Sequence, residues 1–175
     1  MEKETLVSST STEPTEEKEE EFDATKYYVK PHHKVGAEVT EKNLHKLLVD
    51  TEIMYKMCFA ANGKYPSAFA IAHCQMNRRP LSFFVTRDNA VIINPVIIRH
   101  TEKGIEKLEG CMSYPDRPMI MVIRYNKCEV EYQVLTDDAK ISEKKTTNLN
   151  GRMAEIWQHE IDHLNGIDIY DKKSN

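Results

Sequence analysis

The 175-residue sequence lacks the features expected of secreted, membrane-spanning or nucleic-acid-binding proteins. It has four cysteines but no Cys-x-x-Cys pair, and its amino terminus has no apolar signal-like segment, so we expect free thiols in the cytoplasm. No apolar run approaches the roughly 20 residues needed to cross a bilayer, so no membrane association is expected. The formal net charge of −4 provides no basic surface for direct nucleic-acid binding.

Arginine is also absent from residues 1–25, which are rich in Ser, Thr, Glu and Lys and include the acidic run EEKEEE. Such a segment has too little apolar surface to offset the entropy of ordering it, so residues 1–25 are predicted to form a disordered acidic tail. A mitochondrial transit peptide would instead be rich in arginine and poor in acids. Residues 26–175 are long enough for one domain with its own core.

Helical and strand-like patterns both occur in this second region. A helix is predicted from Thr40, which can cap it, because apolar residues then recur at helical spacing as far as Cys58. A break follows at NGKYP, residues 62–66. Strands are predicted at residues 68–73, 82–86, 91–93, 96–100, 119–124 and 127–134, with residues 99–110 forming a solvated connection. A last helix is predicted from about Asn148 to His163. We therefore expect an α+β fold with antiparallel or mixed sheets around a central helix.

That last helix carries QHEIDHLNG, residues 158–166. His159 and His163 are one turn apart, so both imidazoles face the same way and can bind one cation. Glu160 lies beside them and can exchange a proton with water. The alternative is a polar helix face without metal. A catalytic site of this type needs three protein ligands and an open position for water, so the third ligand determines the class of enzyme.

In zinc peptidases with a related pattern the third ligand lies downstream. Asp168 and Asp171 are the carboxylates there, and both are expected to be ordinary surface residues. Upstream, EGCMSYP at residues 109–115 holds Cys111 in a turn bounded by glycine and proline. Thiolate is a strong ligand for zinc and ferrous iron. We therefore interpret Cys111 as the third ligand beside His159 and His163, rather than as a merely buried thiol.

EGCMS and QHEIDHLNG resemble the second and third motifs of the peptide deformylase family, and VIINPVI (residues 91–97) and LNGRMAEIWQHE (residues 149–160) also fit. The resemblance extends over roughly residues 26–170. It implies removal of the formyl group from N-formylmethionine at the start of nascent polypeptides, with release of formate. A monomeric cytoplasmic enzyme is expected.

The resemblance also implies roles for individual residues. Cys111, His159 and His163 would be the metal ligands, and Glu160 would act first as general base and then as general acid. The side-chain amide of Gln75 and the backbone N–H of Met112 would stabilise the oxyanion. Iron(II) is the implied physiological metal, with zinc, nickel or cobalt as substitutes, because a Cys/His/His set suits them all.

The family's first motif is altered in this sequence. It reads Gly-x-Gly-Leu-Ala-Ala-x-Gln in the family, whereas residues 68–75 read AFAIAHCQ. Alanine at Ala68 and Ala70 is strained only if φ is positive there. His73 replaces a small residue and is expected to be packed or hydrogen-bonded rather than a fourth ligand. These changes leave open an impaired relative that binds peptide N-termini without turnover.

Other positions near the motifs carry narrower expectations. Arg152 and Glu155 occupy positions that are apolar or mixed in the family. They either pair with each other along the rim of the methionine pocket, or they alter a pocket that would otherwise prefer plain methionine. Glu109 and Arg124 either form an ion pair beneath the site or are solvated, and Asp162 either supports a ligand or is exposed. The remaining histidines are expected to be surface or capping residues: His32, His33, His45 and His100. Many family members continue into another helix after the position of Tyr170, so ribosome association through such a helix is not expected.

Overall fold

The computed structural model describes residues 22–23, 26–27, 34–59, 68–76 and 78–174. The predicted tail, residues 1–25, lies almost entirely outside the described residues, as do the NGKYP segment and His32 and His33. Among the described residues, no helix combines the length and the apolar character that crossing a membrane requires.

Two α-helices and seven strands are the main elements of the described part of the chain. A short 3₁₀ helix at Glu41–Asn43 leads into α1, and the backbone N–H of Thr40 donates to Asn43 Oδ1 at 2.9 Å. In chain order the elements are α1 (Leu44–Phe59), β1 (Ala70–Ala72), β2 (Phe83–Thr86), β3 (Val91–His100), β4 (Gly104–Glu109), β5 (Ile120–Tyr125), β6 (Lys127–Val134), β7 (Lys145–Asn150) and α2 (Gly151–Leu164).

The strands form two antiparallel sheets. The larger sheet has the order β1-β2-β3-β6-β7, and β4 and β5 form a separate two-stranded sheet. β1 therefore lies at an edge of the larger sheet, where its outer backbone can pair with a further extended segment. This arrangement confirms the predicted α+β class with antiparallel sheets.

The two helices pack on opposite faces of the larger sheet because successive side chains of a strand point to opposite faces. Phe83 and Val85 of β2 belong to the same buried cluster as Met54 of α1. Phe84, between them, belongs to the cluster of α2, where its ring makes an edge contact with Trp157 at a centroid distance of 5.3 Å. α2 is therefore anchored along one side, and its other side is directed towards β4 and β5.

Three predictions about secondary structure were wrong in detail. The last helix begins at Gly151, not at Asn148, because residues 145–150 pair with β6 as strand β7. Residues 99–110 contain strand β4, which pairs along its whole length with β5, rather than a solvated connection only. The two strands predicted at 91–93 and 96–100 are one strand, β3, with a register shift between Ile93 and Val96.

Asp168 is a further correction, because it is buried and only 4% exposed. Its carboxylate accepts hydrogen bonds from the hydroxyl of Tyr114 and, at 2.7 Å, from the backbone N–H of Tyr170. These bonds make up for the loss of water around the charge. Asp171 is exposed, as predicted. Asp168 thus ties the segment after α2 to the turn that follows Cys111.

Candidate metal centre

The structure brings Cys111, His159 and His163 together from two parts of the fold. Cys111 follows β4, and both histidines lie on α2. Cys111 Sγ is 3.2 Å from His163 Nε2, which is 3.1 Å from His159 Nε2, and the three potential ligand atoms all lie within 4.8 Å of one another. Cys111 is 8% exposed and His163 1% exposed, so the cluster is largely shielded from water.

This donor set fits a transition-metal ion. Ligand atoms about 2.0–2.3 Å from one tetrahedral ion are separated from each other by roughly 3.3–3.8 Å, close to the distances in this cluster. Thiolate and imidazole are also ligands that zinc and ferrous iron share.

A buried ionic network contacts the Nδ1 side of the His159 imidazole and orients the ring. Glu109 Oε2 accepts a hydrogen bond from His159 Nδ1 at 2.9 Å, which leaves Nε2 directed at Cys111 and His163. Arg124 donates to both oxygens of Glu109 at 2.8 Å and also to the carboxylate of Asp162. Of the two readings left open by the sequence, the ion pair between Glu109 and Arg124 is therefore the one observed, and Asp162 is buried.

Burial and hydrogen bonding shift the pKa values in this network in different directions. Burial lowers the pKa of His159, but hydrogen bonds with Cys111 and Glu109 outweigh it and raise this pKa to about 10, so a metal ion that binds there must displace a proton. Burial raises the pKa of Glu109, but hydrogen bonds from Arg124 and His159 outweigh that effect and lower it to about 2. Burial lowers the pKa of His163 well below its usual value, which favours the neutral imidazole that a metal ligand requires. Glu109 therefore stays ionised and orients His159 as a carboxylate behind a ligand does.

Glu160 is buried beside the histidines, with 5% of its surface exposed. Among the described residues its Oε2 has no hydrogen-bond partner. Burial, helped by the negative charge of Glu109, raises the pKa of Glu160 to about 7. A carboxylate with a pKa near neutrality can both accept and return a proton.

Gln75 has a fixed orientation towards the centre. Its Oε1 accepts a hydrogen bond from the backbone N–H of Ala72 at 2.9 Å, so Nε2 must point the other way. Nε2 lies 3.1 Å from Ser113 Oγ and 3.9 Å from Cys111 Sγ. The sequence interpretation did not single out Ser113, although it lies within EGCMS. Met112 is half-buried and lines the adjacent cleft.

A cleft of about 210 Å³ leads away from the centre. Gln75 and His159 line it at one end, and Phe69, Arg152 and Glu155 line it farther out. Arg152 Nη1 is 3.2 Å from Glu155 Oε2, so these residues form the pair that the sequence offered as one of two alternatives. Ala68 and Ala70 are absent from the positive-φ residues of the described chain, so alanine causes no backbone strain at these positions.

Among the described residues, the other histidines are not part of the cluster of three ligand atoms. His73 is buried, accepts a hydrogen bond from the Leu81 backbone N–H at its Nδ1 (2.8 Å), and contacts Asp50 Oδ2 through Nε2 (2.9 Å). It is therefore a packed and hydrogen-bonded residue, as predicted. His45 and His100 are exposed, also as predicted.

Comparison with known proteins identifies the family. The sequence model described as polypeptide deformylase matches residues 26–175. The peptide deformylase of Thermus thermophilus is 39% identical over 94 residues, which are 54% of this chain and 45% of that protein. The chain thus aligns with about half the length of the curated relatives it matches.

Solved structures extend the comparison to most of the chain. Peptide deformylase from Thermotoga maritima superposes with a TM-score of 0.70 at 25% identity, covering 85% of this chain and 98% of that one. The Plasmodium falciparum enzyme, in complex with an inhibitor, gives a TM-score of 0.66 at 26% identity, with 86% and 90% covered. With its fold, its clustered Cys and His side chains and the family match over residues 26–175, this chain belongs to the polypeptide deformylase family.

Proposed function

We propose that this chain removes the formyl group from the N-terminal formylmethionine of nascent polypeptides and releases formate. The observation that carries this proposal is the convergence of Cys111 Sγ, His159 Nε2 and His163 Nε2 beside the buried carboxylate of Glu160. A binding protein has no need of a proton-exchanging carboxylate at such a centre.

Peptide deformylases are metalloenzymes, and we assign Cys111, His159 and His163 as the ligands of one divalent ion. When bound, the ion supplies a Lewis acid and lowers the pKa of water near it. Iron(II) is the proposed physiological metal, with zinc, nickel or cobalt as substitutes.

Glu160 acts first as general base. It accepts a proton from water as the water oxygen forms a bond to the formyl carbon. The bond between that carbon and the amide nitrogen then breaks, and Glu160 returns the proton to the leaving amine. The products are formate and a peptide with a free amino terminus. Burial raises the pKa of Glu160, which favours its acceptance of the proton from water.

Two donors stabilise the negative charge that develops on the formyl oxygen. One is Gln75 Nε2, which the bond from Ala72 holds towards the centre, and the other is the backbone N–H of Met112. The peptide lies in the cleft with its backbone along β1, whose outer edge has no neighbouring strand among the described residues. We further propose that residues 26–175 form the catalytic domain of a cytoplasmic monomer that binds no nucleic acid directly.

The alternative function is an impaired relative that binds peptide N-termini without turnover. Its motivation was the altered first motif, but Ala68 and Ala70 adopt no positive φ and Gln75 retains its orientation. A zinc peptidase is disfavoured because the downstream carboxylate of Asp168 is committed to Tyr114 and Tyr170.

Formate release from formyl-Met-Ala-Ser by the anaerobically metal-loaded chain tests the proposal. We expect turnover of this peptide and no cleavage of unformylated Met-Ala-Ser. Replacing Glu160→Ala should lower kcat by about 10²- to 10⁴-fold while bound metal is retained. Binding of the formyl peptide without formate release would favour the alternative, and full formate release by Glu160→Ala would contradict the role of Glu160.

A further inference from the structure

A hydrogen bond joins the turn that begins at Cys111 to the segment that follows α2. Tyr114 makes both connections of this link. Its backbone N–H donates to the carbonyl oxygen of Cys111 at 2.9 Å, and its hydroxyl donates to Asp168 Oδ2. Burial raises the pKa of Tyr114, and so does the bond to Asp168, so the hydroxyl stays protonated and remains a donor. Tyr114 therefore connects a proposed metal ligand to Asp168.

Asp168 is held in place by its own segment. Its Oδ1 accepts a hydrogen bond from the backbone N–H of Tyr170 at 2.7 Å, so its two oxygens serve different parts of the chain. Asp168 also follows His163 closely in the sequence. The chain between them is fixed to the end of α2, because the backbone N–H of Ile167 donates to the carbonyl oxygen of Asp162 at 2.9 Å. The Asp168 carboxylate thus has a defined position relative to His163.

Aromatic and cationic contacts hold the Tyr114 ring in place. The rings of Tyr114 and Tyr170 meet edge to face at a centroid distance of 4.9 Å. Arg117 Cζ lies 4.8 Å from the centroid of each ring, within the range of cation–π attraction. Both rings pack against the cluster that contains Cys111 and Ile169. These contacts restrict rotation of the Tyr114 ring away from the carboxylate.

The hydroxyl of Tyr170 offers an internal comparison. It is buried, and among the described residues it has no hydrogen-bond partner. Removing this oxygen breaks no observed bond. Removing the hydroxyl of Tyr114, by contrast, leaves one oxygen of the buried Asp168 carboxylate without its donor. Of the two neighbouring tyrosines, only Tyr114 therefore links the two segments through its hydroxyl.

We propose that Tyr114 and Asp168 are positioning residues that hold Cys111 beside His163 before a metal ion binds. The inference rests on the metal ligands of the proposed function and adds two residues that prepare their geometry. Cys111 and His163 are 52 positions apart, and the bond between Tyr114 and Asp168 joins their segments without the ion. A ligand set that is already assembled loses less conformational freedom on binding, so it binds metal more tightly.

Titration of the metal-free full chain with Co(II) under anaerobic conditions tests the proposal. The charge-transfer absorption of the bond between thiolate and Co(II) reports on Cys111 itself. We expect Tyr114→Phe and Asp168→Ala each to weaken Co(II) binding by about tenfold. The double variant should bind no more weakly than either single variant, because both changes break the same bond. Asp168→Asn should bind more tightly than Asp168→Ala, since an amide can accept from the backbone and donate to the Tyr114 oxygen.

Tyr170→Phe is the matched control and should bind Co(II) as the unaltered chain does. Each metal-free variant is also unfolded with urea, and Co(II) binding is compared at a temperature at which the variants are folded. A bond that served stability alone would lower the free energy of unfolding and leave the Co(II) affinity of the folded chain unchanged. Should Asp168→Ala not fold, the comparison of Tyr114→Phe with Tyr170→Phe decides.

Equal Co(II) affinity in folded Tyr114→Phe and in the unaltered chain would overturn this inference alone. So would an equal loss of affinity in Tyr170→Phe, or a loss of about 100-fold in the double variant, which would mean that the two residues act independently. In those cases the unaltered chain still binds the ion through its thiolate, so the proposed function stands. Absence of the charge-transfer absorption from the unaltered chain would instead overturn the assignment of Cys111 as a ligand, and with it the positioning roles.

Discussion

At the residue scale, Gln75 illustrates how a single backbone contact sets up a side chain for chemistry. The Ala72 N–H binds Gln75 Oε1, so the amide cannot flip without breaking that bond, and Nε2 stays at the centre. We expect Gln75→Ala to lower kcat by about 10²- to 10³-fold, the usual cost of removing one oxyanion donor. Steady-state kinetics with formyl-Met-Ala-Ser, together with metal analysis, would measure it. A change confined to KM would contradict this role.

His73 gives a prediction about stability rather than activity. Burial lowers the pKa of His73, and its Nδ1 already accepts the Leu81 N–H, so protonation at that nitrogen would break the bond. Burial raises the pKa of Asp50, but hydrogen bonds from His73 and Lys46 outweigh this and lower it. Both groups therefore bind protons more readily in the unfolded chain, and the free energy of unfolding should fall as pH decreases, for His73 from about 6.5.

Urea unfolding at a series of pH values would test this. The contribution of His73 approaches about 1.4 kcal/mol per pH unit once its folded and unfolded protonation differ by one proton. His73→Gln should flatten the curve of unfolding free energy against pH between about 6.5, the usual pKa of histidine, and the lower pH range in which carboxylates take up protons. His45→Gln, at an exposed position of α1, is the matched control and should leave the curve unchanged. An unaltered slope in His73→Gln would show that His73 is not the responsible group.

The sequence could identify those site residues that lie close to one another along the chain. His159 and His163 are one helical turn apart, so a helix alone places them on one side, and Cys111 stands out by its turn. The contact between Glu109 and His159 joins residues 50 positions apart, and no local spacing encodes it. Asp168 was misjudged for the same reason, since its partner Tyr114 is 54 positions away.

At the scale of elements, β4 both forms a strand and delivers Glu109 and Cys111 to α2. We expect Glu109→Gln to weaken metal binding by about 10- to 100-fold, because the amide cannot hold His159 as a carboxylate does. Competition with a chromogenic chelator would measure the affinity. The control is Glu106→Gln on the exposed face of the same strand, which should bind metal normally. Equal affinities in the two variants would exclude the proposed support of His159.

β4 and β7 were missed because their stabilisation comes from partners rather than from pattern. Three of the six residues of GIEKLE in β4 and five of the six residues of KTTNLN in β7 are charged or polar, and each strand pairs fully with one neighbouring strand. Leu149 fitted the helical spacing of the predicted last helix, but in the structure it pairs with Cys128 of β6 in the sheet. By contrast β6, with its regular alternation, and the helix bearing the histidines could both be recognised from the sequence. β propensity depends on such neighbours more than helix propensity does.

At the scale of the whole molecule, the candidate metal centre joins two separately built parts. α2 is packed on the larger sheet through Ala154, Trp157 and Ile161, whereas Cys111 belongs to a small cluster with Val122 of β5 and Ile169. An ion bound by Cys111, His159 and His163 would cross-link these two cores. Because the ligands come together only in the folded chain, metal binding should stabilise folding.

Removal of the metal should therefore lower the thermal unfolding midpoint. A metal present at 1,000 times its Kd contributes about 4 kcal/mol, which corresponds to roughly 8–16 °C for a chain of this size. Scanning calorimetry with and without a chelator under anaerobic conditions would measure the shift. In Cys111→Ala the chelator should have far less effect, because the bridge between the two cores is already broken. Cys128→Ala, in the α2 core, should lower the midpoint in both conditions and keep the chelator-induced difference. A difference of the same size in Cys111→Ala as in the unaltered chain would mean that the ion is held elsewhere.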